Sequence, residues 1–145
     1  MTYFADGSSY NYGSASEDGL VCAGWLAEGH AFRQGNVPDG FLDRLAWHCV
    51  NQRDRAYRGI HICELCPKDM ADHVSVVCEG KKHLLGGAEI TVACGSRTYA
   101  APNLILHYVA VHRYQPPDDF VEALMSRSCE ESRSDWVLFS GPYWK

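Results

Sequence analysis

The sequence predicts an α+β fold: a single domain with a cysteine knuckle, a β-hairpin or small antiparallel sheet, and two to three helices. Three observations predict it. Cys63 and Cys66 form a Cys-x-x-Cys pair, the spacing of a tight knuckle. Ala88 to Ala93 alternate apolar and polar residues, the period of a half-buried strand. Leu104, Ile105, Tyr108, Val109 and Val111 recur at helical spacing, shortly before Pro116 and Pro117 stop a helix.

The elements follow in order. Residues 1–19 are rich in Tyr, Ser, Gly and Asp and read as an irregular arm, packed down by Tyr3, Phe4, Tyr10 and Tyr12. Leu20 to Leu26 is an apolar run of strand length, broken by a loop from Gly29 to Gly35 that carries His30 and Phe32. Pro38 and Asp39 open a helix, with Pro in the first turn and an acid near the N-terminus. Phe41, Leu42, Leu45 and Trp47 to Cys49 carry its apolar stripe, and residues 51–55 read as a polar loop. An extended stretch from Tyr57 runs into the knuckle. Val74 to Cys78 is a strand, and residues 79–82 are a turn. The strand at 88–93 turns at Gly95 and Ser96, and Arg97 to Ala100 pairs back. Ala101, Pro102 and Asn103 open the next helix, which fades near His112. Pro117, Asp118 and Asp119 start a last short helix, with acids placed well for its dipole. Residues 1–125 thus form one α+β domain built around the knuckle. Residues 126–145 form a polar linker and an aromatic tail, which either docks as an edge strand or presents a partner surface.

At 145 residues the chain fits one domain of ordinary size. Hydrophobic residues make up 46% and charged residues 21%, enough for a core that does not depend on a metal overall. The formal charge is -5, and the longest basic cluster is Lys81-Lys82-His83. Phosphate neutralisation supplies much of the affinity of nucleic-acid binders, so this balance argues against a nucleic-acid partner. No secretory signal and no apolar run of membrane-span length is present, which makes a cytoplasmic protein with no membrane partner the simplest expectation. Seven cysteines, an odd number, fit a reducing compartment better than a disulfide scaffold. Cys22, Cys49, Cys78 and Cys94 then read as small buried apolar residues, and Cys129 as an exposed thiol in a polar loop.

The knuckle carries the chemistry. Two thiolates at this spacing reach one ion, and backbone amides in the knuckle bond to the sulfurs. Zn2+ prefers four tetrahedral N/S ligands in closed sites. His107 and His112 complete the set: they follow a predicted hairpin, and four residues separate them, within the usual spacing of about three to five. Five positions on a regular helix amount to about 140° of rotation, so the last turn must tighten or unwind for both to face one ion. His61, two residues before Cys63, is an alternative ligand or a hydrogen-bonding support for one. His73 is also within reach in sequence. A redox pair is the competing reading, but Pro67 follows the knuckle and no βαβ pattern surrounds it.

Two function classes follow. A closed Cys2His2 site contributes folding energy and suits a protein-interaction or regulatory module, with another protein as partner. An enzyme would need an open site, two cysteines, one histidine and a water, with Glu64 or Glu89 as general base. Against that, Glu64 lies inside the knuckle, Glu89 reads as an exposed or paired carboxylate, and the deaminase order of His-x-Glu before Pro-Cys-x-x-Cys is absent. No phosphate loop or nucleophile elbow suggests a small-molecule substrate.

Gly59 to Pro67, Gly87 to Ile90 and Tyr99 to Phe120 together resemble a family of small uncharacterised bacterial proteins, mainly actinobacterial. Its marks here are a GxHxCxxC knuckle and a YAAPxLxxHYVxxHxYxPPxxF segment. Gly24 to Leu26, Gly29-His30 and Phe41-Leu42 extend the likeness over residues 3–125. The resemblance implies that the knuckle and both histidines belong to one recurring design, and it implies no activity.

Overall fold

The computed structural model describes residues 3–9, 20–51, 53–54, 62–66, 75–78, 81–95, 97–126 and 136–137. The element order is β1 (Leu20–Cys22), α1 (Phe41–Asn51), β2 (Arg53–Asp54), β3 (Ser75–Cys78), β4 (Lys81–Leu84), β5 (Glu89–Cys94), β6 (Arg97–Pro102), α2 (Ile105–His112), α3 (Asp118–Met125) and β7 (Trp136–Val137). Two sheets form, ordered β1-β6-β5-β2 and β4-β3-β7. The fold is α+β, as the sequence predicts.

The alternating strand is the centre of the larger sheet. β5 pairs antiparallel with β6 from Glu89↔Pro102 to Cys94↔Arg97, around the turn at Gly95. β1 joins the far side of β6 in parallel, Leu20↔Thr98 to Cys22↔Ala100. Only three residues of the apolar run 20–26 form strand, because Gly24 turns the chain away at φ +75°. A Cβ on Gly24 would stand 2.7 Å from Ile105 Cδ1, so glycine is required both for the turn and for the approach to α2. Trp25 then drops fully into the interior and its Nε1–H donates to the Ala100 carbonyl at 2.9 Å.

Four boundaries differ from the sequence reading. Asn51 belongs to α1, and Arg53–Asp54 form a short edge strand on β5 instead of a loop. Lys81 and Lys82 lie in β4, paired with Cys78 and Val77, rather than in a turn. Ala101 and Pro102 finish β6 rather than opening a helix; Pro102 sits at the strand end, where a missing N–H is tolerated. Asn103 ties that junction together. Its N–H donates to Ala88 O (2.9 Å), its Oδ1 accepts from Gly86 N (2.7 Å) and its Nδ2 reaches Cys49 O (3.5 Å). α2 starts only after this buried node.

One core unites the layers: Phe41 and Leu45 of α1, Ile90 and Val92 of β5, Ile105, Leu106 and Tyr108 of α2, and Phe120 and Leu124 of α3. α3 packs on β5, and α1 packs on α2 and α3. Cys63 belongs to the same core, so the knuckle is anchored in the body of the domain. In the N-terminal arm, Phe4 meets Trp25 edge-on at 5.5 Å and Tyr3 stacks on His30 at 3.8 Å; Tyr10 and Tyr12 lie outside the described residues. Trp136–Val137 pair with Cys78 and Val77, as an edge strand would. The rest of 127–145 lies outside the described residues.

Candidate metal centre

The knuckle sets two sulfurs at one point in the core. Cys63 is 2% exposed and Cys66 half-buried. The backbone N–H groups of Leu65 and Cys66 bond to the Cys63 sulfur, as a tight knuckle requires. α2 supplies two imidazoles, a fully buried His107 near its start and a half-buried His112 at its end.

All four ligand atoms lie within 4.8 Å of one another. Cys63 Sγ is 3.3 Å from His112 Nε2, and Cys66 Sγ is 3.3 Å from His107 Nε2 and 3.5 Å from His112 Nε2. A tetrahedron with metal–sulfur bonds of about 2.3 Å and metal–nitrogen bonds of about 2.05 Å has mixed S–N edges of about 3.6 Å. The residues present therefore fit a metal ion without rearrangement of the backbone.

The end of α2, which carries His112, is closed by a turn wider than the α-helical one. The Arg113 N–H bonds to the Tyr108 carbonyl, five residues back, and the Tyr114 N–H reaches the same carbonyl at 3.1 Å. A five-residue hydrogen-bonded turn is wider than an α-turn, so positions five apart come closer to one face. The rings end with centroids 5.0 Å apart. The required departure from a regular helix is thus a widening, not a tightening. Arg113 completes it in the left-handed region at φ 58°, the only positive-φ non-glycine among the described residues.

Electrostatics prepares the ligands unequally. Burial, helped by the charge His112 would carry, pushes the His107 pKa down to about 3, so this imidazole is neutral and keeps a lone pair to donate. Burial lowers His112 as well. Burial and then the neighbouring Cys66 push the Cys63 thiol up to about 12, against the pull of the two backbone N–H groups. A thiolate at Cys63 therefore needs a cationic partner, which is what a divalent metal supplies.

The other sequence candidates fall elsewhere. His61, His73 and Cys129 lie outside the described residues. Glu64 does not join the ligand cluster; its Oε1 accepts from the Glu28 N–H at 3.4 Å and so holds the 28–30 loop near the knuckle. Glu89 also stands apart from the cluster; of its two readings, exposed or paired, the structure excludes exposure, since it is 1% exposed, on β5 opposite Asp54 and Pro102. Cys22 and Cys49 are buried as expected, whereas Cys94 is only half-buried at the end of β5. Tyr108 is the residue that sequence reasoning missed. Its spacing predicts only an apolar role, yet it lies between the histidines in the chain and carries a buried hydroxyl with no hydrogen-bond partner among the described residues. The available signal was its phenol oxygen, which any buried tyrosine must satisfy.

Among the described residues no helix is long and apolar enough to cross a membrane. No curated protein and no solved structure matches the chain. Residues 2–125 match the model of a domain of unknown function, DUF7919, and the chain belongs to that family.

Proposed function

We propose that Cys63, Cys66, His107 and His112 bind one zinc ion in a closed site, and that the domain is a zinc-stabilised protein-interaction or regulatory module. The convergence of four donor atoms within 4.8 Å carries the reading. Zinc is favoured over other divalent ions because two thiolates and two imidazoles in tetrahedral array are its preferred set. Four protein ligands leave no open position for substrate or water, which supports a structural over a catalytic ion. The ion would pin a knuckle with little regular structure to the end of α2. The net charge of -5 supports a protein rather than a nucleic-acid partner. Ile62 (40% exposed), next to the knuckle, and Leu84 (43% exposed), on β4, are the large exposed apolar side chains among the described residues. They are the natural first positions for contact-disrupting substitutions.

Metal analysis of protein never exposed to chelator should return about one zinc per chain. Trace zinc alone would end this reading. Cys63→Ser should abolish stoichiometric zinc and lower the melting temperature sharply. An unchanged melting curve would remove the structural role. An X-ray absorption spectrum fitted by two sulfur and two nitrogen ligands supports the closed site; three protein ligands and a water oxygen would transfer the case to an enzyme.

A further inference from the structure

We infer that the cavity between the N-terminal arm and the 31–33 loop binds a methylated ammonium group, with Asp6 as its counter-ion and Tyr3, Phe4 and Phe32 as its aromatic wall. The site shares no residue with the metal centre, so the inference goes beyond the zinc reading and does not rest on it.

The cavity has a volume of about 180 Å3, and its lining includes Tyr3, Phe4, Asp6, Leu26, Phe32 and Arg33. Its walls are fastened by contacts of their own. The Phe4 N–H donates to the Trp25 carbonyl at 3.3 Å and the Gly7 N–H to the Cys22 carbonyl at 2.8 Å, which pins the arm on both sides of Asp6. The Phe4 and Trp25 rings meet at 88°, Tyr3 stacks on His30, and Phe32 meets Tyr114 edge-on at 6.3 Å. Three aromatic rings from two separate stretches of chain therefore line one small space.

Asp6 is the charge in that lining. The Tyr114 hydroxyl lies 2.9 Å from its Oδ1 and 2.8 Å from its Oδ2, and the Gly24 N–H reaches Oδ1 at 3.2 Å. Two neutral donors thus fix the orientation of the carboxylate without filling its acceptor sites, of which an ionised carboxyl has about four. Asp6 is exposed, so a ligand in the cavity can reach it. Arg33, the cation of the same lining, pairs with Asp118 and donates to Gln115 Oε1 at 2.9 Å, so its charge is engaged elsewhere.

A carboxylate bonded only by neutral donors, beside three aromatic rings, favours a cation over an anion. The rings favour one with methyl groups on nitrogen, because its charge is drawn to their electron-rich faces while its methyls pack on them. The volume lies below the roughly 300 Å3 at which drug-sized sites begin, so the ligand is a small headgroup. A free quaternary amine and a methylated lysine side chain carry the same group.

The test titrates the full-length protein calorimetrically with choline and with dimethylbutanol, in which an uncharged carbon replaces the choline nitrogen. Choline should bind at least about tenfold more tightly. Asp6→Asn keeps an oxygen that accepts from Tyr114 and Gly24 but removes the charge, and Phe32→Leu keeps an apolar wall but removes a ring. Each should weaken choline about fivefold or more and leave dimethylbutanol within about twofold. Equal affinity for the two probes would overturn the inference, as would binding of neither at millimolar concentration. So would unchanged choline binding in both variants, or equal loss of both probes in either, because Asp6 and Phe32 would then serve the fold alone. A short peptide carrying trimethyl-lysine, titrated in parallel, separates the sources: tighter binding than choline assigns the site to methylated lysine, and weaker binding assigns it to a free amine. Zinc content is measured on the same protein. Its absence with choline binding intact would strike only the metal reading, and its presence without choline binding would strike only this one.

Discussion

Asp119 shows how much one partly exposed side chain can join. It accepts from the Tyr99 hydroxyl at 2.8 Å, from Arg97 Nε at 3.0 Å and from the Phe120 N–H at 3.1 Å, linking β6 to the first turn of α3. Burial pushes its pKa up, but the Tyr99 hydroxyl and Arg97 outweigh it and the net pKa is lowered. A carboxylate held below its ordinary value adds stability that is full above the unfolded pKa and disappears as pH falls through the folded one. Asp119→Ala should cost about 1 kcal/mol at neutral pH, the low end for charged hydrogen bonds because solvent screens the group. The loss should shrink as the pH drops below the ordinary carboxylate pKa. Urea unfolding of both proteins across that range checks it, and a pH-independent difference would contradict it. Sequence placed Asp119 correctly for the helix dipole. It could not show the tyrosine and arginine that arrive from another strand. Glu89 makes the converse point: its place on an alternating strand left exposed and paired readings open, and only the folded chain shows it buried.

At the scale of the element, α2 is the decisive piece. Its apolar spacing and the prolines beyond it were legible, and its end at His112 agrees with that reading. Its start was misplaced because Asn103 reads as a helix opener, whereas its side chain serves the junction between β6 and α1. The widened last turn was legible only as a requirement, since hydrogen-bond register is not written in residue spacing. Arg113 pays for that turn by adopting φ 58°. Arg113→Gly should stabilise the protein by about 1 kcal/mol, because glycine enters the left-handed region without strain. Arg113→Val should be destabilising and should weaken metal binding, since a β-branched residue resists that conformation. Calorimetry and chelator competition on the two variants check both outcomes. Equal affinity in the valine variant would show that the turn does not set the histidine geometry. Gly24→Ala tests the packing of β1 on the same helix. It should cost about 1–3 kcal/mol or more, through strain at φ +75° and collision with Ile105.

At the scale of the molecule, the core and the candidate metal centre overlap but do not coincide. The β5–β6 pairing and the packing of Phe41, Leu45, Ile90, Phe120 and Leu124 do not involve the four ligands. The knuckle is held to the body by Cys63 and by the ligand set. Metal removal should therefore loosen residues 62–66 and the end of α2 first. Hydrogen exchange should show amides there losing protection on chelation while β5 and β6 amides keep theirs. Uniform loss of protection would mean that the ion holds the whole fold together.

The ligand types, the α+β class and the main strand and helix were readable from residue order. Local spacing encodes which residues alternate, which face a helix presents and which cysteines are close in the chain. The meeting of the knuckle with α2, 41 positions away between Cys66 and His107, was readable only as a chemical requirement. Tertiary packing decided how it is met, by widening the end of α2. It also decided which polar groups are buried beside the ligands, above all the Tyr108 hydroxyl. The reason is physical: hydrogen-bond register and burial are set by what packs from elsewhere in the chain, and no local spacing contains that information.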